Sequence, residues 1–331
     1  MNQISFRFKN QLITAFFCSL LAITASIVAN ETLHNQPVFA EPVFTPLKQA
    51  CSIAIVIPAY NEEQRIEKTL LSYFDYFHGC KNLTVLFLVV CNNCTDQTVE
   101  ICKRLQKDHP ELHFMDLKPG GKGFAVKQGF LKALEYNNLD YIGFVDADMA
   151  TKPVYFYELI HKIQGHDGAI ASRYKKGARV WPNRPFLKEI GGKFYNWMLR
   201  HNFHLDIRDT QCGAKLFSYE TIKNVAPNMK EIGWAFDLEL LYICQLFDKD
   251  IIEVPTTWSD VPGSSLVISQ CYKEFISAPK RIKKQQQQLA AQLMRKKQAE
   301  KAAQQKETQM QKKLKKNPAF MASTMATTGN N

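Results

Sequence analysis

Two aspartates stand one residue apart at the end of an apolar segment near the middle of the chain. The segment 141–145 carries no charge, and Asp146, Ala147 and Asp148 follow it directly. Two carboxylates presented together are hard oxygen ligands that suit Mg²⁺ or Mn²⁺. Such an ion would bridge the oxygens of a diphosphate and neutralise charge on a departing nucleoside diphosphate. The alternative for an isolated D-x-D is that both side chains cap the next turn.

Two other polar or glycine-rich segments follow apolar runs earlier in the chain. Residues 58–63 read PAYNEE and residues 118–123 read KPGGKG. Glycines let the backbone approach a ligand closely, and Lys122 is placed to meet a phosphate at a helix N-terminus. A plain tight turn explains the second segment equally well, because neither a P-loop nor the dinucleotide-binding glycine pattern is present.

The elements between residues 51 and 260 that must position these side chains are short β-rich runs alternating with longer helical patterns. This alternation predicts an α/β domain with a mostly parallel sheet flanked by helices. Ligands of such sheets bind at the carboxyl ends of the strands, so the position of the D-x-D favours a ligand site over a cap. The predicted strands are 53–57, 83–90, 112–116, 141–145, 169–172 and 212–217, and the predicted helices are 62–77, 96–107, 122–137 and 154–163.

The net charge of +11 is confined to the C-terminal part of a chain that is 46% hydrophobic, a composition that excludes disorder throughout. Residues 280–316 hold 13 Lys and Arg and two acidic residues, which accounts for the whole excess. This stretch contains no aromatic residue for base stacking, which disfavours nucleic acid, although RNA binding stays an alternative. The other interpretations are a solvated helix and a contact with anionic lipid headgroups.

The N-terminal segment 12–29 is uncharged and apolar and follows Arg7 and Lys9. Its 18 residues approach the roughly 20 that span a bilayer, which predicts a retained membrane anchor. A signal peptide cleaved near Ala29 or Ala40, followed by export, and a buried helix are the alternatives. The flanking cations would send the body across the membrane, whereas a nucleotide ligand of the D-x-D is expected in the cytosol. We expect a membrane-associated enzyme with a cytosolic catalytic domain.

The nine cysteines are scattered and odd in number, which indicates a reduced protein rather than a disulfide framework. Cys91 and Cys94 have the spacing of half a zinc site, but a second close pair is lacking.

The chain resembles the family 2 glycosyltransferases of the GT-A fold over about residues 52–268, and within them the polyprenyl-phosphate glycosyltransferases, including dolichyl-phosphate β-glucosyltransferases. We therefore expect a GT-A domain at 51–268, preceded by the apolar anchor or signal segment at 1–30 and a linker at 31–50, and followed by the basic tail at 269–331. Its ordered blocks are IPAYNEEQRI, GGKGFAVKQG, VDADMATKP, ASRY, DTQCGAKLF, GWAFDLELL and VPTTW followed by PGSSL.

The resemblance implies inverting transfer of a sugar, with glucose and UDP as the expected donor groups, to a polyprenyl phosphate at a membrane. It implies Mg²⁺ or Mn²⁺ as cofactor and a nucleotide sugar, an acceptor lipid and membrane lipid as partners, and it identifies no protein partner. Asp146 would face the nucleotide sugar as a catalytic residue and share the metal with Asp148. Lys122 and Arg173 would bind diphosphate or acceptor phosphate. The nucleotide pocket would be lined by Pro58, Ala59, Tyr60 and Glu62, with Asn92 and Asp96 beside them.

The acceptor side would comprise Asp209, Gln211, Asp237, Glu239 and Trp258, by the same resemblance. Sugar transfer normally needs a base to remove the acceptor proton, but a phosphate is already ionised near neutral pH. Asp209 is therefore a candidate either for the base or for a group that holds the site together. Asp237 and Glu239 are equally well explained as capping residues at a helix N-terminus.

The chain departs from the family where the second strand ends. The usual D-D-G-S-x-D is replaced by residues 91–96, which read CNNCTD. A carboxylate that would accept from a base N–H is thereby replaced by Asn92, which both accepts and donates. The base preference of the nucleotide site is accordingly open. Ala214 is a milder departure, because the family tends to carry an aromatic residue there.

Two competing functions follow from the same residues. The enzyme could glycosylate a hydroxyl of a protein, glycan or lipid, in which case Asp209 would have to act as the base. A protein of another class, an inactive nucleotide-sugar binder or a scaffold acting through its basic tail, is disfavoured by the intact D-x-D and acceptor blocks.

Overall fold

The structure, a computed structural model, describes residues 39–181, 186–259 and 268–316. The chain divides into two compact units, residues 1–282 and 283–331. The apolar segment 12–29, the predicted anchor, lies outside the described residues. Within the described ranges, no helix is both long enough and apolar enough to cross a membrane.

The elements of the first unit alternate between strands and helices as the sequence predicts. The strands are β1 (Cys51–Ala59), β2 (Leu83–Asn92), β3 (Leu112–Leu117), β4 (Tyr141–Val145), β5 (Gly168–Ser172), β6 (Arg179–Trp181), β7 (Ala214–Ser218), β8 (Ile251–Pro255) and β9 (Thr257–Ser259). The helices are α1 (Ile66–His78), α2 (Thr98–Gln106), α3 (Lys122–Ala133), α4 (Pro153–Lys162), α5 (Phe186–Phe203), α6 (Tyr219–Val225), α7 (Phe236–Leu246) and α8 (Ile268–Lys316), with a 3-10 turn at Ala226–Asn228.

Seven strands form one sheet in the order β3-β2-β1-β4-β7-β5-β8. All neighbouring pairs are parallel except those of β7, which runs antiparallel to both β4 and β5. The predicted mostly parallel sheet flanked by helices is therefore confirmed. The strands β6 and β9 form a separate parallel pair, and Trp258 in β9 also bridges to Thr151.

The centre of the sheet is buried because its strands carry no polar face. Residues 53–59 of β1 are all buried, the pattern of a parallel strand covered on both sides. Helix α1 covers the sheet with apolar side chains at positions that share one helical face, including Ile66, Leu70, Phe74 and Phe77. This packing fixes the carboxyl ends of the strands, where the polar segments emerge.

Predicted and observed boundaries agree closely for the first five strands. Two helical boundaries differ by four residues: α1 begins at Ile66 rather than at residue 62, and α3 ends at Ala133 rather than at residue 137. The chain must leave the helix there because Asp140 donates its backbone N–H to the carbonyl of Ser52 and so starts β4 beside β1. The sequence prediction omitted β6, β8, β9 and helices α5, α6 and α7.

Helix α8 is 49 residues long and contains Pro279. Its part beyond residue 282 belongs to the second unit and is helical, as its Lys-, Gln- and Ala-rich composition predicts. Met294 and Met310 are each more than 60% exposed, so the sparse apolar side chains of this stretch form no core of their own.

Candidate active site

The D-x-D segment leaves the end of β4 in a tight turn. The backbone N–H of Asp146 donates to the carbonyl of Gly213, which precedes β7, and Met149 adopts a left-handed backbone conformation with φ 62°. A Cβ at Gly213 would overlap the Asp146 carboxylate. Asp148 accepts a hydrogen bond from the backbone N–H of Ala150 at 3.0 Å. Gly213 thus permits the close approach of the segment before β7 to the D-x-D.

Two buried hydroxyl groups of helix α1 donate hydrogen bonds to the backbone of the same segment. Thr69 donates to the carbonyl of Ala147 at 2.7 Å, and Tyr73 donates to the carbonyl of Thr151 at 2.8 Å. Both side chains lie one helical turn apart on the face that packs on the sheet, where a sequence pattern alone marks them as ordinary core. They fix the backbone from which Asp146 and Asp148 project.

The electrostatics of the turn fit a cation. Burial, followed by the neighbouring Asp146, raises the pKa of Asp148 above its ordinary value. Burial also raises the pKa of Glu62, and the two aspartates add to that effect although Arg65 opposes it at 2.7 Å. Acids whose ionised forms are disfavoured by burial and by one another are stabilised by a divalent ion. Oxygen donors of this kind suit Mg²⁺ or Mn²⁺, so the residues present fit the expected metal.

Lys122 begins helix α3 and reaches the D-x-D. Its Nζ lies 2.5 Å from Oδ1 of Asp146 and 5.2 Å from the centre of the Trp234 ring. Burial alone would lower the pKa of Lys122, but Asp146 and Asp237 raise it above the ordinary value, so the side chain is cationic. The preceding Gly121 has φ 130°, and a Cβ there would overlap the carbonyl of Ile232. The glycine-rich turn therefore serves to bring Lys122 to the site.

Asn92 ties the first two loops together. Its side-chain nitrogen donates to the carbonyl of Ala59 at 3.0 Å, and its side-chain oxygen accepts from the backbone N–H of Gly121 at 3.0 Å. The residue is buried. Only an amide can do both at once, because a carboxylate has no proton to donate to Ala59. The departure from the family pattern is thus matched by two contacts within the protein.

Asp96 is also engaged with the protein. Its carboxylate accepts hydrogen bonds from Thr98, at the start of α2, and from the backbone N–H of Glu63. Burial would raise the pKa of Asp96, but these hydrogen bonds bring it below the ordinary value. Nearby, Tyr60 is 45% exposed beside the turn formed by Asn61, whose φ is 54°. The exposed ring is available to a ligand, whereas Asp96 joins two loops.

Arg173 and Asp209, both predicted for the acceptor side, form an ion pair with two parallel hydrogen bonds. The guanidinium donates from Nε to Oδ2 at 2.7 Å and from Nη2 to Oδ1 at 2.8 Å, and the backbone N–H of Arg173 adds a third bond. Burial would raise the pKa of Asp209, but Arg173 holds it below the ordinary value. The Arg173 guanidinium also lies 5.3 Å from the centre of the Trp258 ring. Gln211 donates its backbone N–H to Asp209 at 3.3 Å, while Asp209 donates its own to Glu253 at 2.9 Å.

Asp237 and Glu239 lie in the first turn of α7 but do not cap it. The N-cap position is Ala235, and no side chain makes a capping hydrogen bond there. Asp237 instead forms an ion pair with the fully buried Lys215 of β7. Burial raises the pKa of Asp237, and Lys215 opposes that effect. The prediction of side-chain capping is wrong, because each carboxylate has a stronger partner elsewhere.

Glu239 organises the loop that precedes α7. Its Oε2 accepts from the backbone N–H groups of Lys230 and Glu231 at 2.8 and 2.7 Å. The Glu231 carboxylate in turn receives two hydrogen bonds from Arg281 of α8, at 2.7 and 2.6 Å. The same loop continues to Trp234, whose ring lies beside Lys122, so α7 and α8 both hold the loop that carries this ring.

Beside the Arg173–Asp209 pair lies a basic pocket of about 220 Å³. It is lined by Tyr174, Lys193, Asn196, Trp197, Arg200 and Arg208. Tyr174 follows Arg173 in the chain and Arg208 precedes Asp209, which places the pocket next to the pair. Sequence reasoning missed Lys193, Asn196, Trp197, Arg200 and Glu253 because α5 and β8 were not predicted. Lys215 lies in the predicted strand 212–217, but nothing local in the sequence reveals its ion pair with Asp237. The basic residues within the amphipathic stretch of α5 were the available signal.

The cysteines provide no metal centre at the described positions. Cys91 and Cys94 are free thiols, and Cys94 donates to the carbonyl of Ala59. Among the described residues, no third metal ligand lies close to Cys91 and Cys94. The one group of three His, Cys, Asp or Glu side chains that is close enough to bind a metal lies elsewhere in the described structure.

The fold and sequence have clear relatives. A dolichyl-phosphate beta-glucosyltransferase of Drosophila melanogaster is 31% identical over 257 residues, covering 71% of this chain and 76% of the relative. One from Trichomonas vaginalis is 34% identical over 230 residues, covering 66% and 67%. The crystal structure of glucosyl-3-phosphoglycerate synthase from Mycobacterium tuberculosis with uridine-diphosphate superposes with a TM-score of 0.51 at 16% identity, covering 74% of this chain and 86% of that one. The structural likeness concerns the fold alone.

The mostly parallel sheet flanked by helices is a GT-A-like fold, and the D-x-D lies at the end of one of its strands. The glycosyl transferase family 2 pattern matches residues 54–225, and the chain belongs to that family. It is a hexosyltransferase, as the sequence blocks predict.

Proposed function

We propose that this enzyme transfers glucose from UDP-glucose to the phosphate of a polyprenol, with inversion at the anomeric carbon. The observation that supports this proposal is the buried ion pair between Asp209 and Arg173. Both of its oxygens hold Arg173, and its pKa lies below the ordinary value. A hydroxyl acceptor needs a base to take its proton, and this ion pair is a poor one. A phosphate acceptor, ionised near neutral pH, needs none.

The basic pocket is the proposed site of the acceptor phosphate. Lys193, Arg200 and Arg208 bring three cationic side chains to its lining, and Arg200 also contacts Asp206 at 3.1 Å. Arginine binds phosphate through paired N–H donors in one plane. Trp197, 58% exposed, offers apolar surface to the lipid next to the phosphate. A pocket of this charge suits an anionic acceptor better than a neutral sugar hydroxyl.

On the donor side, Lys122 would bind the diphosphate and Asp146 would contact the nucleotide sugar. Mg²⁺ or Mn²⁺, held by Asp148 with Asp146, would supply charge neutralisation for the diphosphate. The residues after β1, including Tyr60, would line the nucleotide pocket. An acceptor phosphate oxygen attacks the anomeric carbon of glucose as the bond from that carbon to the diphosphate breaks, so the UDP leaves with the electron pair. Glucose, rather than another hexose, is proposed because the relatives carry that sugar in their names.

The central experiment incubates the purified full-length enzyme with UDP-[¹⁴C]glucose, Mn²⁺ and a short polyprenyl phosphate. Label is expected in the lipid phase as an acid-labile product. Parallel reactions replace the acceptor with the corresponding polyprenol and with a simple glycoside, which offer hydroxyls only. Transfer to a hydroxyl but not to the phosphate would refute the acceptor assignment, and no transfer to any acceptor would favour an inactive binder.

Arg208→Gln separates the acceptor pocket from the donor site. Arg208 is exposed, so its replacement should preserve the fold. We expect the KM for polyprenyl phosphate to rise by roughly tenfold or more, because a charge-assisted contact contributes about 1.5–3 kcal/mol. The KM for UDP-glucose should be unchanged. Lys175→Gln, which removes an exposed cation outside the pocket lining, is the matched control.

The donor is tested by competition. UDP-glucose is compared with UDP-galactose, GDP-glucose and GDP-mannose at equal concentration. We expect UDP-glucose to give the highest kcat/KM. Preference for a guanosine donor would overturn the proposed base while leaving the acceptor assignment intact.

We also propose that the basic tail contributes to membrane attachment. Each Lys or Arg near an anionic surface adds roughly 1 kcal/mol, and this attraction is screened by salt. A chain ending at residue 282 should float less with anionic vesicles at low salt than the full chain, and the difference should vanish at high salt. Equal flotation of both forms would identify the tail as a solvated helix. Protease protection of the tail in intact cells would distinguish a cytosolic body from an exported one.

A further inference from the structure

Two histidines and one glutamate, residue types that commonly bind metals, lie close together at the end of the sheet opposite the D-x-D. His78 is the last residue of α1, while His109 and Glu111 lie between α2 and β3, just before β3 begins at Leu112. The D-x-D follows the carboxyl end of β4, whereas this cluster lies at the amino end of β3. The two sites are therefore separate, and the proposed transfer reaction gives this cluster no role.

The three ligand atoms already lie close to the separations that a metal requires. Oε1 of Glu111 is 2.8 Å from Nε2 of His78 and 3.3 Å from Nδ1 of His109, and one ligand atom from each residue lies within 4.8 Å of the other two. Tetrahedral zinc with bonds of roughly 2.0–2.1 Å places its ligand atoms about 3.3 Å apart. Small rotations of the side chains would admit an ion. No other group of three such residues meets this distance among the residues that the structure describes.

The ligands are attached to rigid parts of the fold. The carbonyl of Glu111 accepts from the backbone N–H of Phe87 in β2, and the carbonyl of His109 accepts from the backbone N–H of Leu112. The His109 ring packs 4.3 Å from the buried ring of Phe74 in α1, which also neighbours His78. A site on such supports loses less entropy on binding than one on free surface side chains.

The chemistry of the set is that of a transition metal rather than of Mg²⁺ or Ca²⁺. Two imidazoles and one carboxylate form a known zinc ligand set, with water in the fourth position. His78 is largely exposed, which gives an ion a path from solvent.

We propose that His78, His109 and Glu111 bind one divalent transition-metal ion, with Zn²⁺ the best fit, and that the ion joins the end of α1 to the start of β3. Because the ligands come together only in the folded chain, binding stabilises the native state by mass action. At a free Zn²⁺ concentration 100 times the Kd, the Tm should rise by roughly 5–10 °C. Turnover should not require this ion.

The test uses the full-length enzyme after removal of metal by chelation. Zn²⁺ is titrated by calorimetry without nucleotide, and Co²⁺ is added to a second sample to record its visible spectrum. We expect one equivalent of tetrahedral Co²⁺ without the charge-transfer band of thiolate ligands, which separates this cluster from the cysteines. His78→Gln and His109→Gln should each weaken Zn²⁺ binding by about 100-fold or more and abolish the Tm rise.

His166→Gln provides the matched control. His166 lies 2.6 Å from Asp250, a histidine–carboxylate pair on the same unit that belongs to no three-residue group. This variant should bind Zn²⁺ as the parent does. The proposal is overturned if the parent binds no Zn²⁺ at micromolar concentration, if the Co²⁺ spectrum carries a thiolate band, or if both histidine variants retain parental affinity. His78 is exposed enough that misfolding would not explain a loss confined to metal binding.

Discussion

Asp209→Asn separates the two roles open to that residue. In the structure the Asp209 side chain is fully buried and that of Arg173 is 11% exposed, and three hydrogen bonds join them. The asparagine keeps the shape but removes the charge and turns one acceptor into a donor facing the guanidinium. Breaking a buried pair on one side costs about 3–5 kcal/mol. In a domain of this size, each kcal/mol lowers the Tm by roughly 2–4 °C, so a fall of about 6–20 °C is expected.

The pH dependence of this pair has a definite sign. The pKa of Asp209 is lower in the folded chain than its ordinary value, so the folded state prefers the ionised form. The stabilisation is present above the unfolded pKa of about 3.9 and is lost as the pH falls through the lower folded pKa. The contribution of Asp209 to the free energy of unfolding should therefore stay constant between neutral pH and about pH 4. A general base would instead titrate in the working pH range.

Thermal melts and initial rates are measured for the parent, Asp209→Asn and Glu67→Gln. Glu67 makes a comparable arginine contact at 2.7 Å with Arg104, but both side chains are well exposed, so its loss should cost at most about 1 kcal/mol. An Asp209→Asn enzyme with the parental Tm, a kcat lowered 100-fold or more and a missing limb in the pH–rate profile would refute the holding role. Arg173→Gln completes a double-mutant cycle, in which the second change should cost little once the first is made.

Asp148→Asn should lower turnover by about 100-fold or more, measured as initial rates with Mn²⁺. The Tm of this variant should equal or exceed that of the parent in a thermal melt, because burial and Asp146 already disfavour the charge of Asp148. Gly213→Ala should displace the Asp146 carboxylate and lower kcat by roughly 100-fold, measured beside the KM for UDP-glucose. Asn92→Asp restores the family residue but sets a carboxylate against the carbonyl of Ala59, so a loss of about 1–3 kcal/mol is expected; unaltered stability in urea would contradict the two contacts assigned to Asn92.

The parts of the site that the sequence predicted are those carried by short local segments. Asp146 and Asp148 follow an apolar strand directly, and Lys122 follows its glycines, so position along the chain was enough. The contacts among these residues depend on packing between distant elements. Gly213 reaches Asp146 across 67 positions, and neither residue reveals that contact locally.

The two carboxylates interpreted as helix caps were misassigned because a charged side chain can satisfy several partners. Asp237 and Glu239 have the types and positions of helix caps, but a buried Lys215 and two backbone N–H groups compete for them. Lys215 lies in an apolar strand, where the sequence favours a core residue. The pocket of α5 was missed because its helix, rich in aromatic and basic residues, was left unassigned.

Strand β7 sits between β4 and β5 although it follows both in the chain. During synthesis β4 therefore remains an open edge until residues 214–218 have emerged, since its partner on that side is not yet made. An uncovered apolar edge invites pairing with other chains. Because β7 also carries Lys215 and follows Gly213, its insertion completes the sheet and the D-x-D surroundings together. Nascent chains that stop before residue 214 should depend on chaperones, whereas chains that include β7 should resist protease and acquire donor binding in the same step.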